Sequence, residues 1–340
     1  MINAADVLRG WKAILAGRTP FLSIEITKEC PLTCPGCYAY GTDHLGGETV
    51  LRQVSDFQGQ KLVDRVIELI DAYRPLHVSF VGGEPLVRFR ELEQIFPLVV
   101  ERGIHIQLVT SAVRPIPPGW SDFNLMTIAV SIDGLAPEHD ARRKPATYER
   151  ILKNIEGHRI TVHCTITRQM TDRPGYLPEF IEFWSAQPSV EKIWMSLFTP
   201  QIGEKSYEIL PRDRRLQVIN ELIELREKFP KLAMPPGVLK ALADPPSDPA
   251  SCIFAKTTST VTADLSSRVT PCQFGGTPDC TQCGCMASAG LKAVGDFRLP
   301  IVGIKAGTIY NASLGVGAMV ARMRKLPNAA PNGRRLQKAM

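Results

Sequence analysis

Three cysteines stand close together in Lys28-Glu29-Cys30-Pro31-Leu32-Thr33-Cys34-Pro35-Gly36-Cys37-Tyr38, three residues separating the first two and two the last two. Thiolates are soft ligands, and a set this tight selects zinc, copper(I) or an iron–sulfur centre. Pro31, Pro35 and Gly36 argue against one continuous helix, so the three belong to a loop. The run just before them, Phe21 to Thr27, alternates as a strand does. A strand therefore ends, and a tight loop turns three sulfurs toward one point. A structural zinc or a closed cluster takes four protein ligands. An iron–sulfur cube held by three leaves one iron open to a small molecule. The other reading of these residues is a zinc site with His44 as fourth ligand.

A second set lies near the C-terminus: Cys252, Cys272, Cys280, Cys283 and Cys285. Their surroundings, Pro271-Cys272-Gln273-Phe274-Gly275-Gly276 and Asp279 to Cys285, are loop-like. Cys164 completes an odd total of nine cysteines, which argues against a framework of disulfide pairs. Thiols clustered this way in a reducing compartment point to metal. A zinc knuckle and an iron–sulfur centre both remain open for this second set.

These residues must be held by something, and the pattern between them is regular. Strand-like runs fall at 21–27, 76–81, 104–110, 125–132, 160–167 and 190–198. Helix-like runs fall at about 57–73, 88–102, 146–158, 177–186 and 212–228, and the proline-rich crossover near 111–121 lacks a helical pattern. Such alternation predicts a parallel sheet. The fold class is α/β: a partial (β/α)6 TIM-like barrel with a small cysteine-rich C-terminal domain. The expected units are an N-terminal helix (1–19), the barrel (20–229), a proline-rich linker (230–250), the cysteine-rich domain (251–290) and a C-terminal segment with a basic tail (291–340). Active sites on such sheets lie at the C-terminal strand ends. The cysteine loop follows strand one, Gly82-Gly83-Glu84-Pro85 follows strand two, Thr110-Ser111 ends strand three, and Ser131 and Asp133 end strand four.

With both motifs placed, the chain resembles the radical S-adenosylmethionine (SAM) superfamily. That family carries Cys-x3-Cys-x2-Cys followed by an aromatic residue, matched by Cys30, Cys34, Cys37 and Tyr38. It also carries Gly-Gly-Glu-Pro after its second strand, matched by Gly82, Gly83, Glu84 and Pro85. The resemblance implies a [4Fe-4S] cluster on Cys30, Cys34 and Cys37, with SAM at its open iron. Glu84 and the backbone of Gly82 and Gly83 would meet the SAM ammonium, Pro85 would fix the turn, and Tyr38 would lie beside adenine. Ser131, with Thr110 and Ser111, would bond the ribose or carboxylate; strand-end capping is the other reading of those hydroxyls.

The stretch from Val130 to Ile155 looks like radical SAM enzymes with an added C-terminal cluster domain, although Asp140, Arg142 and Arg143 also suit the capping of a turn and a helix. The C-terminal cysteines resemble the SPASM and twitch domains, which implies one auxiliary [4Fe-4S] cluster on four of the five. Their gaps are shorter than in the full SPASM pattern. His163 and Cys164 adjoin on strand five and face opposite sides; Cys164 is either an inert buried thiol or a hydrogen donor to a substrate radical. An electron donor such as flavodoxin or ferredoxin is implied.

Net charge, composition and length frame the partners. At 340 residues and 44% hydrophobic content the chain can bury a large core. No apolar run reaches membrane-spanning length, and Asp6, Arg9 and Lys12 break the pattern of a signal peptide, so a cytoplasmic protein is expected. The +6 charge is carried by Arg322, Arg324, Lys325, Arg334, Arg335 and Lys338, after which acids and bases balance. Nucleic acid is therefore not an expected partner; the basic tail reads as solvated and loose, with weak contact with an anionic membrane surface as the minority reading. Peptide-modifying enzymes share the auxiliary-cluster pattern, but no peptide-recognition module is evident before residue 21. A small molecule or a lipid is then the expected substrate, with a peptide as the alternative. The short N-terminal helix and cysteine-rich C-terminus are also similar to those of enzymes that adenosylate polycyclic isoprenoids. A zinc-stabilised scaffold or binding protein is the reading from another class.

Overall fold

The computed structural model describes residues 4–46, 49–145, 147–298 and 303–326. Arg334, Arg335 and Lys338 of the basic tail, and Ile301-Val302, lie outside them. The strands are β1 (Phe21–Glu25), β2 (His77–Val81), β3 (His105–Thr110), β4 (Met126–Ser131), β5 (Ile160–Ile166), β6 (Val190–Leu197), β7 (Thr258–Val261) and β8 (Arg268–Val269). They form one sheet in the order β6-β5-β4-β3-β2-β1-β7-β8, parallel except for the β7–β8 pair. The helices are α1 (Ala4–Leu15), α2 (Gly59–Tyr73), α3 (Phe89–Glu101), α4 (Ala136–Arg142), α5 (Tyr148–Asn154), α6 (Arg168–Thr171), α7 (Tyr176–Ala186), α8 (Arg212–Lys228), α9 (Pro236–Ala243), α10 (Ile253–Thr257), α11 (Met286–Asp296) and α12 (Ala306–Met323).

The two faces of the sheet differ in chemistry, and this places the site. Outward residues such as Leu22, Ile24, Val78, Phe80, Leu108 and Val162 are fully buried against the helix layer. Each such side chain contributes about 1.5–3 kcal/mol by leaving water. Helix α2 shows why that layer forms: Leu62, Val66, Leu69, Ile70 and Tyr73 recur at helical spacing and are all buried. Inward residues are largely polar. Ser23, Ser79, Gln107 and Thr127 pair across β1 to β4 in one register row. Ser131, His163 and Trp194 pair across β4 to β6 in another. They line a cavity of about 2040 Å³. A closed eight-stranded barrel fills its interior with branched side chains; this partial one encloses a chamber.

Three features depart from the pattern read in the sequence. The stretch 230–250 is not a structureless linker, because α9 lies within it, burying Val238, Leu239 and Leu242. Pro230, Pro235 and Pro236 fall before it or at its first turn, where a helix tolerates them, and Pro245, Pro246 and Pro249 lie beyond its end. The cysteine-rich segment is joined to the barrel: β7 pairs with β1 in parallel, Phe21 opposite Thr258 and Ser23 opposite Thr260. Third, the apolar segment after 290 contains α12, which clasps α1. A Cβ on Gly317 would come within 2.0 Å of the Ile14 carbonyl, and Trp11 Nε1 donates to Ser313 Oγ at 2.6 Å.

Candidate active site

The cysteine loop and the Gly-Gly-Glu-Pro loop are built against each other. Gly83 N donates to the Thr27 carbonyl and Glu84 N to the Glu29 carbonyl, both at 2.8 Å. A Cβ on Gly83 would lie 2.1 Å from the Glu29 oxygen, so only glycine permits this approach. Gly36, at φ 67°, turns the chain between Cys34 and Cys37. Cys30, Cys34 and Cys37 line one end of the chamber together with Gly82, Gly83 and Glu84. Burial pushes the Cys30 thiol up to about 11, with Glu84, Cys34 and Cys37 adding to it. Burial also raises Cys34, and nearby Arg143 opposes it. Such thiols stay protonated near neutrality unless a metal displaces the proton.

The donor set, three thiols lining one cavity, fits a cube with one open iron. His44 is not a fourth ligand, because both its ring nitrogens are taken. Nε2 lies 2.6 Å from Glu25 Oε1 and Nδ1 3.0 Å from the Phe274 carbonyl. Burial would lower the His44 pKa, but the hydrogen bond to Glu25, the Glu25 charge and the Phe274 carbonyl together raise it. Among the described residues no three His, Cys, Asp or Glu side chains close on a single metal ion.

Glu84 lines the chamber and is held by hydrogen bonds within the protein. Its Oε1 accepts from Thr110 Oγ1 at 2.5 Å and Leu86 N at 3.0 Å. Its Oε2 accepts from Ser111 N at 2.8 Å and from Ser111 Oγ. A carboxylate offers about four acceptor positions, and all four are filled within the protein. Glu84 is 1% exposed. It therefore braces strand ends two and three, and Thr110 and Ser111 spend their hydroxyl protons on it. Pro85 opens the short turn behind it. Ser131 lines the chamber.

Asp133 is also part of the chamber wall. It accepts from Arg142 Nη1, from Arg143 Nε at 2.7 Å and from Thr165 N at 3.0 Å. Burial opposes ionisation, but the two guanidinium groups outweigh it and hold the carboxyl well below the usual range. The arginines are thus ionic braces on the chamber wall. Only Asp140 caps, accepting from Thr147 N and Tyr148 N. His163 faces the chamber, its Nε2 2.8 Å from Ser196 Oγ, and burial lowers its pKa. Cys164 faces the other way, buried in the outer layer with Met170 Sδ 4.0 Å from its sulfur. Cys164 is not among the residues that line the chamber.

The C-terminal cysteines divide into four and one. Of the five, Cys285 alone lines the chamber, accepting from Gln273 Nε2 at 3.3 Å. Cys252 and Cys283 share Ser288: its hydroxyl is 3.3 Å from Cys252 Sγ and also bonds Cys283. Burial pushes Cys272 up to about 12 and Cys280 to about 11, with Cys283 and Cys252 contributing to both. Beneath them lies a residue the sequence did not single out. Arg215 of α8 is 6% exposed and donates to the Gln282 carbonyl at 2.9 Å, to the Leu242 carbonyl at 3.1 Å and to the Cys283 carbonyl. Burial lowers its pKa to about 10, and Cys283 and Asp279 pull it back. A buried cation without a bonded carboxylate suits an anionic neighbour such as thiolates on a metal centre. The two cysteine regions interlock: the Tyr38 ring lies 5.5 Å from those of His44 and Phe274. A Cβ on Gly275 would lie 1.8 Å from the His44 carbonyl.

A parallel partial barrel carries three thiols and a Gly-Gly-Glu-Pro loop on the lining of one chamber. Residues 24–171 match the model of the radical SAM superfamily, so this stretch reads as a radical SAM domain. No curated protein matches the sequence. Among solved structures, the chain is similar to native anSMEcpe with bound AdoMet, at 16% identity and a TM-score of 0.53, over 75% of this chain and 74% of that one. With the Cp18Cys peptide also bound there, the values are 14% and 0.54 over 90% and 98%. It is also similar to Streptococcus suis SuiB bound to precursor peptide SuiA, at 16% and 0.55, over 79% of this chain but only 62% of that one. At such identities these likenesses show the fold.

Proposed function

We propose that this chain reductively cleaves SAM and uses the resulting radical to modify a molecule held in the chamber. A four-iron cube with one open iron, when bound, supplies the electron that splits the sulfonium into methionine and a 5′-deoxyadenosyl radical. Cys30, Cys34 and Cys37 would hold that cube, and the protein's further contribution is position. The ammonium of SAM falls to the backbone carbonyls of the Gly82-Gly83 loop, since Glu84 has no acceptor position left. Arg143, fixed by Asp133 and facing the chamber, suits the carboxylate. Tyr38 suits the adenine and Ser131 the ribose. Cys252, Cys272, Cys280 and Cys283 are the proposed ligands of one auxiliary cluster. Reduced flavodoxin or ferredoxin is the proposed electron source.

The chamber suits an amphiphilic substrate, since polar strand faces oppose an aliphatic wall that includes Ile253, Leu291 and Val294. A peptide is supported by the likeness to SuiB and anSMEcpe, both seen with peptides; a lipid is supported by that aliphatic wall. The observation that carries the proposal is the pair of backbone bonds joining the two motif loops at the chamber end. Anaerobic reconstitution followed by SAM and dithionite tests it. We expect 5′-deoxyadenosine and about eight irons per chain, two four-iron clusters' worth. Bound zinc without iron, and no nucleoside product, would establish the scaffold instead.

A further inference from the structure

We infer that α12, with α1 beside it, is a docking face for an anionic lipid bilayer. The inward stripe of α12 is small and buried, Ser313, Gly317 and Ala321, and seats the helix on α1. The other side carries Val316, Met319 and Met323, which are 49%, 59% and 68% exposed. Phe297 and Ile304, just before α12, are 58% and 45% exposed, and Leu8 and Leu15 of α1 are 54% and 43%. Large side chains open to water at such density mark an interaction surface.

Charge selects the partner. From Phe297 to Met340 there are eight Lys and Arg residues and no Asp or Glu. Arg322, Arg324 and Lys325 flank Met319 and Met323 directly, and α1 adds Arg9 and Lys12 against the single acid Asp6. Apolar side chains fringed by cations of one sign are the chemistry that lies in the headgroup region of a negatively charged leaflet. Among the described residues no helix is long and apolar enough to cross a membrane, so the contact is with a surface. The face also meets the chamber: Val294, at the end of α11 that packs on α12, is both 42% exposed and part of the chamber wall.

Vesicle co-sedimentation of the full, cluster-loaded chain tests this without any SAM cleavage, so the result is independent of the proposed chemistry. Wild-type protein should pellet with phosphatidylcholine mixed with phosphatidylglycerol, and stay in solution with phosphatidylcholine alone or in high salt. The double change Arg322→Gln and Arg324→Gln should weaken binding roughly 25-fold, about fivefold per charge. Met319→Ser with Met323→Ser should weaken it with the charge unchanged. Arg65→Gln on α2, remote from the face, should leave binding as it was. Cluster absorbance and circular dichroism report that each variant is folded. Failure to bind anionic vesicles would overturn the inference, as would equal losses in the Arg65 and Arg322/Arg324 variants. A wild-type dimer split by Met319→Glu would also overturn it, by giving the face to a second copy of the chain.

Discussion

The two cysteine regions use the same ligand chemistry in opposite surroundings. The first presents Cys30, Cys34 and Cys37 to the chamber from a loop that adjoins glycine backbone and a saturated carboxylate. The second turns four of its five thiols away from the chamber, above a buried guanidinium. An arrangement with free space on one side suits a centre that must accept a ligand. One sealed by Ser288, Arg215 and α11 suits a centre that only holds charge. The difference teaches that ligand count and access, more than ligand identity, divide the two tasks.

The sharpest break of this contrast comes from single ligands. Cys34→Ala should abolish 5′-deoxyadenosine formation and remove about four irons of eight, one cluster, read by chromatography and iron assay. Cys272→Ala should remove a similar amount from the other region, whereas Cys285→Ser should leave iron unchanged; iron loss there would erase the division into four and one. Asp133→Asn comes next. It leaves Arg143 buried without its counter-ion, while Arg142 keeps Glu208 at 2.5 Å, and should cost about 3–5 kcal/mol in denaturant unfolding. Arg215→Met strips three buried carbonyls of their donor, at about 1–3 kcal/mol, and the loss should be larger in iron-loaded than in iron-free protein.

The smallest effect is the pH response of the junction between the regions. The native His44 pKa is raised, so its stabilisation is complete below the unfolded value near 6.5 and declines as pH climbs through the native one. His44→Gln should flatten that decline in thermal melts.

How much of this was legible in the sequence follows from what each residue must satisfy alone. The six main strands were readable because each carries apolar residues on its helix-facing side, and the first four also end in a motif. Strand β7 was not, since Thr258-Ser259-Thr260-Val261 is short and its hydroxyls gain meaning only beside β1. Helix α9 hid behind its own prolines. The position of Glu84 was clear while its hydrogen-bond partners were not, because filled acceptor positions depend on Thr110 and Ser111 arriving from a different strand. Alternation put His163 and Cys164 on opposite faces without saying which was inward. Arg215 reads in sequence as one more charge on an amphipathic helix, and only the return of residues 282 and 283 makes it buried.

The place of β7 has a consequence for how the protein is made. The strand that launches the first cysteine loop borders β2 on one side and β7 on the other. During synthesis that second border stays bare until residues 258–261 have left the ribosome, so a nascent chain cut off earlier displays raw backbone to its neighbours, an invitation to aggregation. Truncations that look like clean barrel domains should for this reason precipitate, and a soluble half must retain the strand as well as the cysteines.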